Sequence, residues 1–334
     1  MMDVPSEEQF RGCLVGQALG DALGFVVEGR PPEVCREYID DVLARDGVLG
    51  RGRFPFGQYS DDTQLARELM QSYAACGRFD PEDYARRIRD IFSEGRIVGR
   101  GRSTQEAAGR LARGVPWYEA GTPPPSAGNG SAMRAGPIGL LFHDDPEGLV
   151  RAATQQGVIT HADPRCSAGA IAIAGAVSLS LRARPVEPAP FLARLAELSE
   201  EGEPRFAIYL RRLARWLPLP PEEAVRRISG EGLEQDSSRR WHGIPPFVVG
   251  SVLWSLYSFL KSPDDYRSTI RTAIAVGGDV DTTAAMAGAI SGAHLGLAAI
   301  PQSLAHCLTD RGTWEFAELI ALADECRRTE QRLA

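Results

Sequence analysis

Lysine is almost missing from this sequence, which has Lys261 as one lysine among 37 basic residues. A Walker-type phosphate-binding lysine or a Schiff-base lysine would have to be this residue. Its neighbours, Leu260 before it and Ser262 and Pro263 after it, match neither kind of site. We therefore expect no mechanism that depends on a lysine.

Paired cysteine motifs are also missing. None of the six cysteines forms a CxxC pair, and the chain has no short secreted disulfide framework. The five histidines show no HExxH motif and no other defensible zinc-ligand spacing. The sequence predicts reduced, buried thiols, a cytoplasmic location and no zinc site. The cysteines are Cys13, Cys35, Cys76, Cys166, Cys307 and Cys326.

Long apolar runs and an excess of positive charge are absent too. Residues 1–10 are acidic and lack the apolar core of a signal peptide. The most apolar stretch, residues 284–300, is rich in alanine and glycine and contains His294, so we expect no membrane span. A net charge of −7 argues against general electrostatic binding of nucleic acid. Arginine-rich patches at 96–102 and 211–215 are better explained as solvated surface.

Helical patterns fill the chain, which is 43% hydrophobic and can bury a core. Apolar spacing predicts a first helix over 7–24, and Asp80-Pro81-Glu82 predicts another that runs to about residue 92. Alternating strands are hard to find, and the irregular stretches 114–128 and 182–190 are interpreted as loops. We expect a compact, orthogonal multi-helix, all-α protein with one domain over residues 1–334.

Two acidic clusters each lead directly into an apolar, helix-like run. They are Ser60-Asp61-Asp62-Thr63 and Asp279-Val280-Asp281-Thr282-Thr283. Aspartate is an ordinary helix cap, which explains one such cluster but explains two less well. Asp, Ser and Thr oxygens are ligands that Mg²⁺ or Mn²⁺ accept. The clusters therefore suggest a divalent-metal site.

A glycine-rich loop, Gly128-Asn129-Gly130-Ser131, precedes another apolar run. Backbone N–H groups in such a loop can converge on a phosphate. A lone Gly-Asn-Gly sequence is more often only a turn, and His161, which precedes an Asp-Pro helix start, more often serves structure than ligand binding. Gly99-Arg100-Gly101 does not complete a dinucleotide fingerprint, because no strand precedes it and a third glycine is missing.

Five motifs, in order along nearly the whole chain, resemble those of the ADP-ribosylglycohydrolase family. This all-α group includes dinitrogenase reductase-activating glycohydrolase and the animal ADP-ribosyl-acceptor hydrolases. The motifs are Arg11-Gly12-Cys13-Leu14 through Gly20-Asp21-Ala22-Leu23-Gly24 to Glu28, then Tyr59-Ser60-Asp61-Asp62-Thr63, Gly128 to Arg134, Thr160-His161, and Gly277-Gly278-Asp279-Val280-Asp281-Thr282. Position 60 is often threonine in relatives, and serine keeps the hydroxyl.

The resemblance implies a site and a reaction. The reaction is hydrolysis of the glycosidic bond at C1″ of an ADP-ribosyl group, with ADP-ribose as product. Two divalent cations, Mg²⁺ or Mn²⁺, would be bound by Ser60, Asp61, Asp62, Asp279, Asp281 and Thr282. Glu28 would act as general acid/base or as a gate near the metals, with Asp62 as its rival. Gly128, Asn129, Gly130 and Ser131 would cradle the diphosphate or proximal ribose, and His161 would line the same cleft.

Charge bookkeeping agrees with that site. If Glu28 and the four aspartates of the two clusters converge, they cannot all stay ionised without counter-charge. Two divalent cations would nearly balance them, and otherwise one or more carboxylate pKa values must rise.

The expected partner is an ADP-ribosylated protein or small molecule. ADP-ribosyl-arginine is the favoured acceptor, while ADP-ribosyl-serine, O-acetyl-ADP-ribose and modified nucleic acid stay open. A non-catalytic ADP-ribose-binding or crystallin-like protein and a dinuclear phosphoesterase are the alternatives from other classes. We expect a monomer that has no membrane partner.

Overall fold

The computed structural model describes residues 4–45, 49–233 and 241–333, and these residues confirm the all-α prediction. Pairing of the β type is limited in these ranges to isolated bridges. The α-helices are α1 Glu7–Phe25, α2 Pro32–Arg45, α3 Asp61–Cys76, α4 Pro81–Ser93, α5 Arg102–Ala112, α6 Gly136–Leu141, α7 Pro146–Val158, α8 Pro164–Ser180, α9 Pro188–Ser199, α10 Pro204–Trp216, α11 Pro221–Ile228, α12 Val248–Lys261, α13 Tyr266–Ile274, α14 Val280–Leu295, α15 Gln302–Ala305 and α16 Phe316–Leu333.

Helix starts follow the cap signals in the sequence. Asp80 accepts hydrogen bonds from the backbone N–H groups of Glu82 and Asp83, and Pro81 occupies the first turn of α4. Helix α14 begins at Val280, within the second acidic cluster. The sequence analysis missed α2 and the short helices α6 and α15.

Helices α1 and α14 pack together closely and in opposite directions. A Cβ atom added to Gly12 or Gly20 would overlap the carbonyl group of Gly292 or Ala284, respectively. At the end of α1, a Cβ on Gly24 would lie 2.5 Å from the Cα of Asp281. Glycine is needed at these positions because the two backbones touch. This contact brings the C-terminal end of α1 against the start of α14, where the second acidic cluster lies.

Two further expectations can be compared with the fold. None of the helices in the described ranges is both long and apolar enough to cross a membrane. All six cysteines are free thiols, and four of them are buried. Cys76 is exposed and Cys307 is half-buried, so the prediction of buried thiols was wrong for these two. Cys76 is the last residue of α3, and Cys307 follows the end of α15 by two residues.

Replacing a contact glycine should destabilise the protein. In Gly16→Ala the new Cβ would lie 2.5 Å from the carbonyl oxygen of Gly288, so the backbones must separate. We expect the free energy of unfolding to fall by about 1–3 kcal/mol, measured by urea denaturation. Gly109→Ala in α5 is the matched control, because its Cβ would approach only the Arg113 side chain, at 3.6 Å. That variant should be neutral or more stable by about 0.4–1 kcal/mol, and equal losses in both would contradict the packing argument.

Candidate active site

The first acidic cluster is held at the start of α3. Ser60 caps the helix, and its hydroxyl donates to Oδ2 of Asp62 at 2.8 Å. Asp61 and Asp62 occupy the first helical turn, where unpaired N–H groups favour negative charge. Both side chains are almost completely buried. The cap thus fixes the direction of Asp62 and supports the charges beside it.

Asp21, to which the sequence analysis gave no role, anchors this cluster to α1. Its carboxylate accepts from the backbone N–H of Ser60 at 2.9 Å, the N–H of Thr63 at 3.0 Å and the hydroxyl of Thr63 at 2.6 Å. Asp21 is fully buried, and burial raises its pKa well above the usual range. The only sequence signal was an aspartate on an otherwise apolar helix, a place where an unpaired charge is costly.

The second cluster lies at the start of α14. The side-chain amide of Asn129 donates to Oδ2 of Asp279 and to the hydroxyl of Ser251. The N–H of Thr282 donates to Oδ1 of Asp281 at 2.9 Å. The Thr282 side chain favours the charged form of the Asp62 carboxylate, so the two clusters interact. Residues far apart in the chain therefore meet in one place, as the resemblance implied.

Glu28 lies beside the second cluster, in the turn that follows α1. Carboxylate oxygens of Glu28, Asp279 and Asp281 all lie within 4.8 Å of one another. The guanidinium of Arg51 donates to Oε2 of Glu28 at 2.6 Å and to the Phe25 carbonyl at 2.8 Å. The Glu28 side chain is 29% exposed, so it is open to the cleft. Arg51 was not singled out from the sequence.

The carboxylates of the site are poorly compensated by the protein. Burial raises the pKa of Asp62 to about 6 and that of Asp279 to about 7. Burial, followed by repulsion from neighbouring carboxylates, raises the pKa values of Asp61 and Asp281 well above the usual range.

Oδ1 of Asp62 is buried and has no hydrogen-bond partner among the described residues. Carboxylate oxygens whose charge is not compensated, with neutral hydroxyl oxygens beside them, fit a hard divalent cation.

The glycine loop forms another part of the same cleft, together with His161. A Cβ on Gly130 would lie 2.6 Å from Cε1 of His161, and one on Gly128 would lie 3.3 Å from its Nε2. A Cβ at position 130 would therefore overlap the imidazole ring, whereas one at position 128 would require only a small shift of the ring. The loop continues into turns before the short helix α6, so no long helix begins directly at it. The Ser131 hydroxyl turns away and donates to the carbonyl of Cys166 at 3.0 Å.

The cleft has a volume of about 690 Å³ and contains most of the predicted site residues. Ser60 and Ser131 do not line it, and both are fully buried. Other walls were missed by the sequence analysis. The segment Gly99–Gly101, considered only as a failed dinucleotide fingerprint, lies beside Asp61, and a Cβ on Gly99 would lie 2.9 Å from its Oδ1. Trp241 and Phe247 add aromatic surface. The lining residues of predicted function are Glu28, Asp61, Asp62, Gly128, Asn129, Gly130, His161, Asp279, Asp281 and Thr282.

Comparisons with known proteins agree with this arrangement. The sequence pattern of the ADP-ribosylglycohydrolase family matches residues 2–332. The ADP-ribosylhydrolase ARH3 of Bos taurus is 33% identical over 89% of this chain and 88% of its own. The ADP-ribosylarginine hydrolase Tri1 of Serratia proteamaculans is 25% identical over 89% and 74%. A solved structure described as an ADP-ribosylglycohydrolase-related protein complex superposes with a TM-score of 0.73 at 27% identity, covering 97% of this chain and 98% of that one.

The family match and the named relatives, rather than the shape of the cleft, identify the class of protein. The chain belongs to the ADP-ribosylglycohydrolase family and is an enzyme of ADP-ribosyl hydrolysis. The resemblance stated from the motifs is confirmed. The roles of individual residues stay predictions.

Removing the Asp21 anchor should loosen the first acidic cluster. In Asp21→Asn the amide NH₂ would replace Oδ1 and face the N–H of Ser60, because the amide oxygen is better placed at Oδ2, which accepts from both donors of Thr63. We expect the free energy of unfolding to fall by about 1–3 kcal/mol. Because Asp21 orients predicted ligands, Mn²⁺ affinity should fall by about 10- to 100-fold in a calorimetric titration. Asp144→Asn, at an exposed aspartate, is the control and should change neither quantity.

Stability of the metal-free enzyme should decrease as the pH rises. Carboxylates in the unfolded chain titrate near about pH 4, whereas Asp62 and Asp279 have pKa values of about 6 and about 7 in the folded state. Between these limits the folded protein holds the extra protons, so the free energy of unfolding falls with increasing pH. Protein treated with EDTA should melt at a lower temperature at about pH 8 than at about pH 5.

A matched variant isolates the contribution of the site. Glu330, on α16 and outside the cleft, has a pKa raised by burial to about 7 and adds a slope of the same sign. Asp279→Asn should therefore flatten the pH dependence without abolishing it. Excess Mg²⁺ should remove the part that Asp279→Asn removes. A metal-free protein that gains stability between about pH 5 and pH 8 would contradict this assignment of the charges.

Proposed function

We propose that this enzyme hydrolyses the glycosidic bond at C1″ of ADP-ribosyl groups in a metal-dependent reaction that releases ADP-ribose. One observation carries the proposal. Both acidic clusters and Glu28 converge in one cleft, and the glycine loop and two aromatic side chains line that same cleft. Such a cleft offers separate surfaces for a reacting ribose and for the diphosphate and base.

Two divalent cations, Mg²⁺ or Mn²⁺, are the proposed cofactors. The cations would be held by side chains of the two acidic clusters, namely Ser60, Asp61, Asp62, Asp279, Asp281 and Thr282. Bound there, the cations would offset the carboxylate charges, bind ribose hydroxyls and lower the pKa of water. The unpartnered Oδ1 of Asp62 and the raised carboxylate pKa values support this donor set.

Glu28 is the proposed general acid/base. Its carboxylate is partly exposed and lies within 4.8 Å of oxygens of Asp279 and Asp281. It can accept a proton from the attacking water and return one to the leaving group. Asp62 is less suited, because it is 2% exposed and its carboxylate accepts a hydrogen bond from the Ser60 hydroxyl. Its predicted contribution is therefore to metal binding.

The glycine loop would bind the diphosphate or proximal ribose. The side-chain amide of Asn129 already donates to Asp279 and Ser251, so this side chain would act by orienting Asp279. Ser131 could contribute only its backbone, because its hydroxyl is bonded to Cys166. His161 lies directly beneath Gly130 and would contact the same part of the ligand.

ADP-ribosyl-arginine is the acceptor that we propose to test first. Tri1 carries arginine in its name, whereas the name of the more similar ARH3 specifies no amino acid. ADP-ribosyl-serine is therefore the necessary comparison.

The experiment measures products by mass spectrometry. Arginine- and serine-ADP-ribosylated peptides are incubated with the enzyme and Mg²⁺ or Mn²⁺, and in parallel with EDTA. EDTA-sensitive release of ADP-ribose from one peptide would support the proposal and identify its acceptor. Release of AMP would instead favour a phosphoesterase. No release from either peptide, with bound metal verified by elemental analysis, would favour a binding protein and contradict the proposal.

Glu28→Gln and Asp279→Asn should fail in different ways. Glu28→Gln should lower kcat by about 10²- to 10⁴-fold, because it removes proton transfer, and should still bind ADP-ribose. Asp279→Asn should lose metal affinity as well as activity, with normal folding by circular dichroism. Both are measured by ADP-ribose release and by Mn²⁺ titration.

The control for these variants is Glu33→Gln, at a side chain that is 75% exposed on α2. It should match the unmodified enzyme in kcat and metal affinity. Unchanged kinetics in Glu28→Gln would remove Glu28 from the mechanism, and full activity with unchanged metal content in Asp279→Asn would reject the ligand assignment.

A further inference from the structure

His161 presents two ring nitrogens to different surroundings. Nδ1 lies 2.8 Å from the hydroxyl oxygen of Thr160, on the buried side of the ring. Nε2 lies on the side of Gly128 and Gly130, where the ring lines the cleft. Nε2 has no acceptor in the part of the chain that the structure describes. Which nitrogen carries the hydrogen therefore decides what His161 offers to a ligand.

The hydrogen bond from Arg134 determines where the hydroxyl hydrogen of Thr160 can point. Arg134 is fully buried, and its Nη2 donates to the Thr160 hydroxyl oxygen at 2.8 Å and to the Gln156 carbonyl at 2.8 Å. A guanidinium can only donate, so Thr160 must accept that hydrogen bond. Its own hydroxyl hydrogen is then free for a second partner. Within the described ranges, Nδ1 of His161 is the other partner of this buried hydroxyl.

Only one assignment gives the Thr160 hydroxyl hydrogen a partner. If Nδ1 carried a hydrogen, the Thr160 hydroxyl would accept twice and its own hydrogen would be buried without an acceptor, which is costly. If Thr160 donates to Nδ1, both Thr160 and Arg134 are satisfied at this contact. The hydrogen of the imidazole is then on Nε2. This tautomer is assigned from the hydrogen-bond network, since the hydrogen itself is not observed.

We propose that Arg134 and Thr160 are positioning residues that lock His161 as the neutral tautomer with its hydrogen on Nε2, so that the cleft presents an uncharged N–H donor. Burial, together with the nearby Arg134 charge, lowers the pKa of His161 to about 3, which agrees with a neutral ring.

The lock also explains the arrangement of the loop. Nε of Arg134 donates to Oε1 of Gln156, and Nε2 of Gln156 donates to the Ser131 carbonyl at 2.8 Å. The same network therefore fixes the glycine loop and the histidine beneath it. Resting on the proposed function, the acceptor for the Nε2 hydrogen is an oxygen of the ADP-ribosyl group at that end of the cleft.

Nitrogen NMR tests the tautomer directly. In protein labelled with ¹⁵N-histidine, two-bond ¹H–¹⁵N correlation spectra distinguish a protonated ring nitrogen from an unprotonated one. The His161 signals are identified by their loss in His161→Phe. At neutral pH and without ligand, we expect an unprotonated Nδ1 and a protonated Nε2. A protonated Nδ1, or a charged ring, would overturn the proposal.

A pair of Thr160 variants separates the lock from general packing. Thr160→Val removes the hydroxyl, so His161 should show mixed tautomers or a hydrogen on Nδ1. Thr160→Ser keeps the hydroxyl and should keep the original pattern. Arg134→Met should also release the tautomer, and the Thr160 pair answers the question if that variant does not fold. Identical spectra in all folded variants would overturn the lock.

Binding of ADP-ribose gives the functional readout, measured by calorimetry in the presence of Mg²⁺. Loss of one neutral hydrogen bond should weaken binding by about three- to tenfold in Thr160→Val, with Thr160→Ser close to the unmodified protein. Equal affinities in Val and Ser would show that the donor does not serve this ligand. The NMR result needs no ligand, so failure of ADP-ribose to bind at all would count against the proposed function and leave the tautomer lock standing.

Discussion

Uncompensated negative charge is the constraint on which this structure depends. Five aspartates are buried close together: Asp21, Asp61, Asp62, Asp279 and Asp281. Arg51 forms an ion pair with Glu28, which is partly exposed, and not with these aspartates. Helix starts, the Ser60 cap and the Asn129 amide offset part of this charge. They do not offset it fully, because the carboxylate pKa values remain raised. The fold therefore brings together groups that repel one another, and a bound cation is the compensation that best fits their chemistry.

Bringing such groups together requires rigid backbone contacts. The glycines of α1 let α14 approach until Gly24 touches the Cα of Asp281, and Asp21 on the same helix holds the start of α3. Helix α1 is thus in contact with both acidic clusters. Glu28 follows directly from its C-terminal end. One helix therefore sets the relative positions of all three parts of the acidic site.

The sequence predicted what depends on local chemistry. The cap at Asp80 and the oxygen-rich helix starts could be recognised because the signals lie within a few residues. The convergence of the two clusters came from family resemblance, since no local pattern specifies a contact between distant segments. Asp21 was missed for the same reason, because its partners Ser60 and Thr63 lie on another helix. The single-domain division, the ligand roles and the acceptor stay predictions.

The role of several glycines could not be predicted from the sequence. Gly99 was rejected as part of a nucleotide fingerprint, yet its lack of a side chain leaves room for the Asp61 carboxylate. Gly128 and Gly130 were interpreted as turn or phosphate-loop residues, and each also leaves space for the His161 ring that packs against it. A sequence shows that a side chain is absent but does not identify the group that occupies the space.

The two ends of the cleft are organised by different physical means. The acidic end has excess charge and at least one unpartnered oxygen, and it is the end where the cations are proposed to bind. At the glycine end, Arg134 is hydrogen-bonded to Gln156 and Thr160, and the loop is held through Ser131. This end is preorganised by the protein and offers donors whose direction is already fixed. Such a division suits a ligand with an inert diphosphate and a reactive ribose, because binding can be fixed at one end while the chemistry is controlled at the other.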